Sequence, residues 1–110
     1  LTVRQALAQV SHLSKRSGAI LLVDKAGKLS GIFTDADLRR LLEKGIESVL
    51  DEPIARVMTR SPKRMRSGTQ SWEAARIFED YRVDELPVVN EADEPVGLMD
   101  VQDLVTQKVL

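Results

Sequence analysis

The chain has 110 residues, 43% of them apolar, and its 16 basic against 17 acidic side chains leave a formal net charge of −1. With no cysteine and a single histidine, His12, it can build neither a disulfide framework nor a thiolate or multi-histidine metal site. The longest apolar run, residues 19–23, is far short of the ~20 residues a membrane helix needs, and the near-neutral charge argues against nucleic acid as a partner.

In chain order, Thr2 caps a helix whose apolar positions Val3, Ala6, Leu7, Val10 and Leu13 recur at spacings of three and four and so share one face. His12 falls in this helix pattern beside Leu13, with no partner for general-base work. Residues 20–23 form a short buried strand. Residues 24–28, Asp-Lys-Ala-Gly-Lys, form a turn. A second strand over 29–33 leads to a helix over 36–44, closed by Gly45. Within the lead-in 47–68, Pro53 opens a short helix bearing Ile54, Val57 and Met58. Residues 59–62 read as a loop and 63–67 as a short strand. Thr69 then caps a second long helix with Trp72, Ala75 and Phe78 on its core face, joined by Ala74 and Ile77. Tyr81, Met58 and Met99 are expected to pack inside as well. A strand over 86–89, a turn over 90–94, a strand over 95–99 and a helix over 101–109 complete the chain. Pro95 suits the start of a strand, where no ladder donor is needed.

This succession is one unit used twice. At an offset of 66, Leu22-Val23-Asp24 falls on Val88-Val89-Asn90, Gly31-Ile32 on Gly97-Leu98, and Asp37-Leu38 on Asp103-Leu104. Matching Val3 to Trp72 needs an offset of 69, so the first half has three extra residues between helix and strand. The pattern predicts an α/β (α+β) protein of two motifs, 1–50 and 51–110, with the lead-in in the second. The first motif has no lead-in before residue 1, so its N-terminal strand is expected to be missing and the chain to be cut from a longer protein.

The stretch from Gly31 to Leu38 carries the most chemistry. A strand ends at Phe33 and a helix begins near Asp35, so unpaired N–H groups and a positive dipole end collect there. Glycine at 31 permits close approach to the strand. The Thr34 hydroxyl suits a phosphate oxygen, and the Asp37 carboxylate suits two adjacent hydroxyls of a ribose. The same Thr-x-x-Asp spacing is also a capping box, in which the two residues satisfy the helix itself. Both readings stand on the residues alone.

The repeat and this motif resemble the CBS domain, a module that occurs in pairs. Its Gly-x-x-Thr/Ser-x-x-Asp signature is met by Gly31, Thr34 and Asp37, its second-strand signature by Leu86-Pro87-Val88-Val89, and its lead-in by Met58-Thr59. The resemblance covers essentially the whole chain. It implies a tandem CBS pair, two β-α-β-β-α type motifs related by a pseudo-twofold axis. It also implies ligand contacts from Gly31, Thr34, Asp37 and Arg39 in the first half and from Leu86, Pro87, Val88 and Asp103 in the second.

A narrower run, Gly31 to Arg40 (GIFTDADLRR) with Gly45 and then IARVMT at 54–59, is similar to the C-terminal CBS pair of D-arabinose-5-phosphate isomerases. Those proteins place a sugar-isomerase domain before the pair and make arabinose 5-phosphate for Kdo and lipopolysaccharide synthesis in Gram-negative bacteria. The resemblance implies a cytoplasmic regulatory module without catalytic residues or metal. Its partners would be the attached isomerase domain and a second copy, paired through the CBS helices, with neither nucleic acid nor membrane. No cofactor is required; the effector would be an adenine nucleotide or CMP-Kdo. The alternative is a ligand-free structural dimerisation module of another CBS-containing protein.

The second half departs from the signature at Asp100, where threonine or serine would stand. A carboxylate caps a helix well but repels a phosphate, by on the order of several kcal/mol at about 4 Å in a partly screened site. The first half is therefore the expected phosphate site. Charge is also uneven: Arg60, Lys63, Arg64 and Arg66 form a basic run, whereas residues 79–103 carry nine acids against Arg82. The two patches read as solvated surface, as a basic rim for phosphates, or as complementary dimer contacts. No aromatic residue interleaves with the basic run, so single-stranded nucleic acid is not expected there.

Overall fold

The computed structural model describes residues 1–13, 18–45 and 47–102. The elements run α1 (Val3–Leu13), β1 (Ala19–Val23), β2 (Leu29–Thr34), α2 (Asp35–Glu43), a 3₁₀ segment (Glu47–Asp51), α3 (Ile54–Val57), β3 (Thr59–Arg60), β4 (Met65–Arg66), α4 (Ser71–Tyr81), β5 (Glu85–Val89) and β6 (Pro95–Asp100). Asp103 and most of the helix expected over 101–109 lie outside the described residues, as does the side chain of His12.

The strands form two three-stranded sheets, ordered β1-β2-β3 and β4-β5-β6. In the first, β3 runs antiparallel to β2, with Gly31 opposite Arg60 and Ile32 opposite Thr59. In the second, β5 is central: β4 joins it in parallel, with Met65 opposite Val88, and β6 joins it antiparallel, with Leu86 opposite Met99. Residues 59–62, read from sequence as a loop, thus begin as a strand. Two residues carry no readable period, and only the edge of β2 supplies the partners that define them.

The chain divides into two compact units, 1–22 with 30–61 and 23–29 with 62–110. In the first, Val3 and Ala6 of α1, Phe33 of β2 and Ile54 of α3 form a buried cluster, with Leu38, Leu41, Val57 and Met58 packed against it. In the second, Met65 of β4, Ala74 and Phe78 of α4 and Leu86 of β5 do the same, flanked by Ile77, Val88 and Met99. The sequence motif and the compact unit divide the chain differently: residues 51–61 follow the second motif's pattern but pack in the first unit. Ile54 N–H donates to Leu1 O at 2.9 Å and Val3 N–H to Glu52 O at 3.0 Å, which ties that segment beside the start of α1.

The repeat extends to individual hydrogen bonds. In the turn after β1, Asp24 Oδ1 accepts from the amides of Ala26 and Lys28; in the turn after β5, Asn90 Oδ1 accepts from those of Ala92 and Glu94. The amide of Asp35 donates to Gly18 O at 2.9 Å, and that of Val101, 66 residues on, to Asp84 O at 2.8 Å. At the start of α1, Thr2 Oγ1 accepts from the Gln5 amide and Gln5 Oε1 from the Thr2 amide, the expected cap.

Three side chains depart from expectation. Thr69 does not cap α4: its hydroxyl donates to Arg66 O at 2.6 Å, and Gln70 holds the cap position without a side-chain bond. Trp72 is 66% exposed and Tyr81 49% exposed, whereas Phe78 is buried. Two successive steps of three residues turn a helix through roughly 600°, so Trp72 and Phe78 lie about 120° apart. Ala74 is the residue that shares a side with Phe78. Tyr81 ends the helix and stacks beneath Lys63 instead, with Nζ 4.6 Å from the ring centre.

Candidate ligand site

β2 ends at Thr34 in extended conformation (φ −104°, ψ 163°) and α2 starts at the next residue. Thr34 Oγ1 accepts from the Asp37 amide at 3.0 Å, while the Thr34 amide donates to Asp37 Oδ2 at 2.9 Å. The capping box anticipated from the spacing is therefore formed. Arg40 donates to Asp37 Oδ1, so both carboxylate oxygens are engaged within the chain. Asp37 itself is largely buried and Arg40 largely exposed. Arg39 is the arginine expected at a bound phosphate, not at this carboxylate. A helix places i+3 beside i and swings i+2 about 200° away, so Arg40 is the arginine at the carboxylate; Arg39 is exposed. The three-residue spacing was the available signal.

Gly31 is buried in mid-strand. A Cβ built there would clash with Met58 Sδ and meet Met58 Cε at 2.9 Å. The close approach that this glycine permits is thus occupied by the Met58 thioether, from the chain just before β3. In the second half the equivalent Gly97 is exposed, with nothing nearer to a built Cβ than Val88 Cβ at 3.9 Å.

The second group of site residues sits on β5. Leu86 is fully buried in the cluster with Met65 and Phe78, and Val88 packs against the same cluster. Pro87, between them on the opposite face of the strand, is also fully buried. The Leu86 and Val88 side chains belong to this packing, and the β5 backbone is paired with β4 on one edge and β6 on the other. Asp100 caps the chain after β6, where its Oδ1 accepts from the Gln102 amide at 2.8 Å. The carboxylate thus takes the capping place that Thr34 holds in the first half.

A family model described as CBS domain matches residues 1–44 and 54–109. The chain belongs to the CBS-domain family. Curated relatives match most of the chain. Arabinose 5-phosphate isomerase KdsD of Pseudomonas aeruginosa is 42% identical over 96 residues, which is 87% of this chain and 29% of that protein. Arabinose 5-phosphate isomerase KpsF of Escherichia coli is 37% identical over 86 residues, 78% of this chain and 26% of that one. This CBS pair spans less than a third of the length of the curated relatives it matches. Among solved structures, the CBS-domain containing protein ATU1752 from Agrobacterium tumefaciens superposes with a TM-score of 0.79 at 20% identity, covering 97% of this chain and 82% of that one. CBSX2, solved in complex with AMP, superposes with a TM-score of 0.77 at 26% identity, covering 99% and 82%.

Proposed function

We propose that this CBS pair is the regulatory module of a bacterial arabinose-5-phosphate isomerase. In this reading it binds a nucleotide or nucleotide-sugar effector in the first motif and modulates or assembles an attached isomerase domain. The identity to KdsD and KpsF along most of the chain supports the parent protein. The observation that carries the site is the contrast between Thr34 and Asp100 at equivalent strand-to-helix junctions. A hydroxyl beside a helix N-terminus accepts a phosphate neighbour, whereas a carboxylate repels one. Thr34 would take the phosphate and Asp37 the ribose hydroxyls; Gly31, covered by Met58, and Arg39, on another side of α2, would join them only after a rearrangement. In the second motif, Leu86, Pro87, Val88 and Asp103 would supply the remaining ligand contacts.

An adenine nucleotide is the first candidate, since the similar CBSX2 was solved with AMP; CMP-Kdo is the second, as a product of the pathway that the isomerase would feed. Such a module acts in the cytoplasm on lipopolysaccharide synthesis, and it regulates only if the ligand prefers one arrangement of the parent over another. The isomerisation would belong to the parent's other domain. A thermal-shift panel of AMP, ATP and CMP-Kdo tests the reading: ligand at 100 times its Kd adds about 2.7 kcal/mol. Each variant is compared with its own ligand-free baseline, because Thr34 and Asp37 also cap α2. Thr34→Ala and Asp37→Asn should lose most of the shift; a shift that survives both places the ligand elsewhere.

One observation favours a second reading, a ligand-free module that dimerises through its helices. Thr34, Asp37 and Arg40 already satisfy one another. In that case sedimentation gives a dimer and no compound in the panel shifts the melting temperature.

A further inference from the structure

Three segments of the second unit converge on one side chain. The guanidinium of Arg64, in the loop before β4, donates through Nη1 to both carboxylate oxygens of Asp93, at 3.0 and 2.9 Å. Its Nε donates to Pro62 O at 3.1 Å, and Nη1 reaches Leu29 O at 3.5 Å. Beside it the Leu29 amide donates to Asp93 O at 2.9 Å, and Lys28 Nζ to Ala92 O at 2.7 Å. The turn that closes the first hairpin is thereby attached to the turn between β5 and β6.

Three features set this cluster apart from ordinary surface pairing. The Arg64 side chain is 23% exposed and that of Asp93 43%, so this ion pair is less screened than the Arg4–Asp51 pair at 62% and 74%. Asp93 holds a left-handed backbone (φ 65°) at the position where the first hairpin has Gly27 (φ 83°). Glycine is the easier residue there and aspartate one of the more tolerant others; the Asp93 carboxylate is what Arg64 holds. None of residues 23–29 belongs to the apolar cluster of Met65, Ala74, Phe78 and Leu86. Leu29 is buried at 5% exposed, but residues 24–28 lie at the surface and meet the second turn through the Lys28 ammonium on Ala92 O.

We infer that Arg64 is a latch: it holds the turn of the first hairpin against the turn of the second, and its release frees residues 24–28, with the Leu29 amide at their edge, while the apolar core of this unit stays closed. Segments held by polar contacts alone open at lower free energy than a packed core. The latch therefore makes the first hairpin's turn a separately opening part of the second unit.

Amide hydrogen exchange on the 110-residue chain, read by NMR, tests this. The Leu29 amide is the reporter, and the Phe78 and Leu86 amides report the core. Arg64→Ala removes the latch. Asp93→Gly removes the carboxylate while easing the left-handed turn, so it separates loss of the ion pair from loss of the turn. In both variants Leu29 should exchange at least about tenfold faster with the core amides little changed, and Arg64→Lys, with a single-point donor, should fall between. Unchanged exchange at Leu29 in Arg64→Ala and Asp93→Gly overturns the inference. So does acceleration of Leu29 and Phe78 in step, which marks Arg64 as a general support of the unit.

Discussion

Met58 lies over the bare Cα of Gly31, closer than any side chain there would permit. The motif glycine of the first half is therefore a packing requirement before it is a ligand contact. Gly31→Ala should destabilise the protein by about 1–3 kcal/mol through overpacking. The cost should fall in the Gly31→Ala/Met58→Ala double variant, because shortening Met58 removes the atoms that clash. Urea unfolding of the four members of the cycle measures this; strictly additive costs would show that the two residues do not interact. At the same scale, Thr34 and Asp37 were legible from sequence as a pair, but their partners were only partly so. Thr-x-x-Asp gives a reciprocal cap whenever a helix starts there. That Arg40 closes the second carboxylate oxygen depended on a rotamer, which spacing permits but does not choose.

Among the elements, α4 shows where periodicity misleads. Its apolar residues are dense enough that more than one stripe can be drawn, and the stripe through Trp72 is not the buried one. Ala74 and Phe78 face the cluster with Met65 and Leu86, and Trp72 faces solvent. Phe78→Ala should cost about 3–5 kcal/mol as a core truncation. Trp72→Ala, on the exposed side, should stay within about 0.5 kcal/mol. Denaturant unfolding compares them; a Trp72 cost approaching that of Phe78 would mean the tryptophan is covered in solution. Since Trp72 is the only tryptophan of the chain, quenching of the native fluorescence by iodide gives an independent reading of the same exposure. The other helices and most strands were legible because each carries a cap, a turn or an apolar stripe. β3 carries none of these in its two residues and exists through pairing with β2.

For the whole molecule, the lead-in at 53–60 has the second motif's sequence but the first unit's packing. Ile54 is buried with Val3, Ala6 and Phe33. Ile54→Ala should cost about 2–5 kcal/mol and raise amide exchange at Ile32 and Phe33 before Leu86; exchange rising first at Leu86 would place the lead-in with the second unit. The basic run and the acidic second half likewise gain a specific link, since Arg64 and Asp93 pair within the chain. What the sequence by itself determined is the local grammar: two copies of helix, strand, turn, strand, the Thr2 and Thr34 caps, the paired turns 66 residues apart, and the junction where Thr34 and Asp100 differ. These features depend on residues within a few positions of one another, whose geometry follows from backbone sterics and hydrogen bonding. Tertiary structure alone decided that Met58 covers Gly31, that α3 packs beneath β2's motif, which side of α4 is buried, and that Arg64 finds Asp93. Each of those contacts joins residues distant in the chain, and each is selected by which apolar surfaces and charges can be brought together at once, a choice that no local pattern encodes.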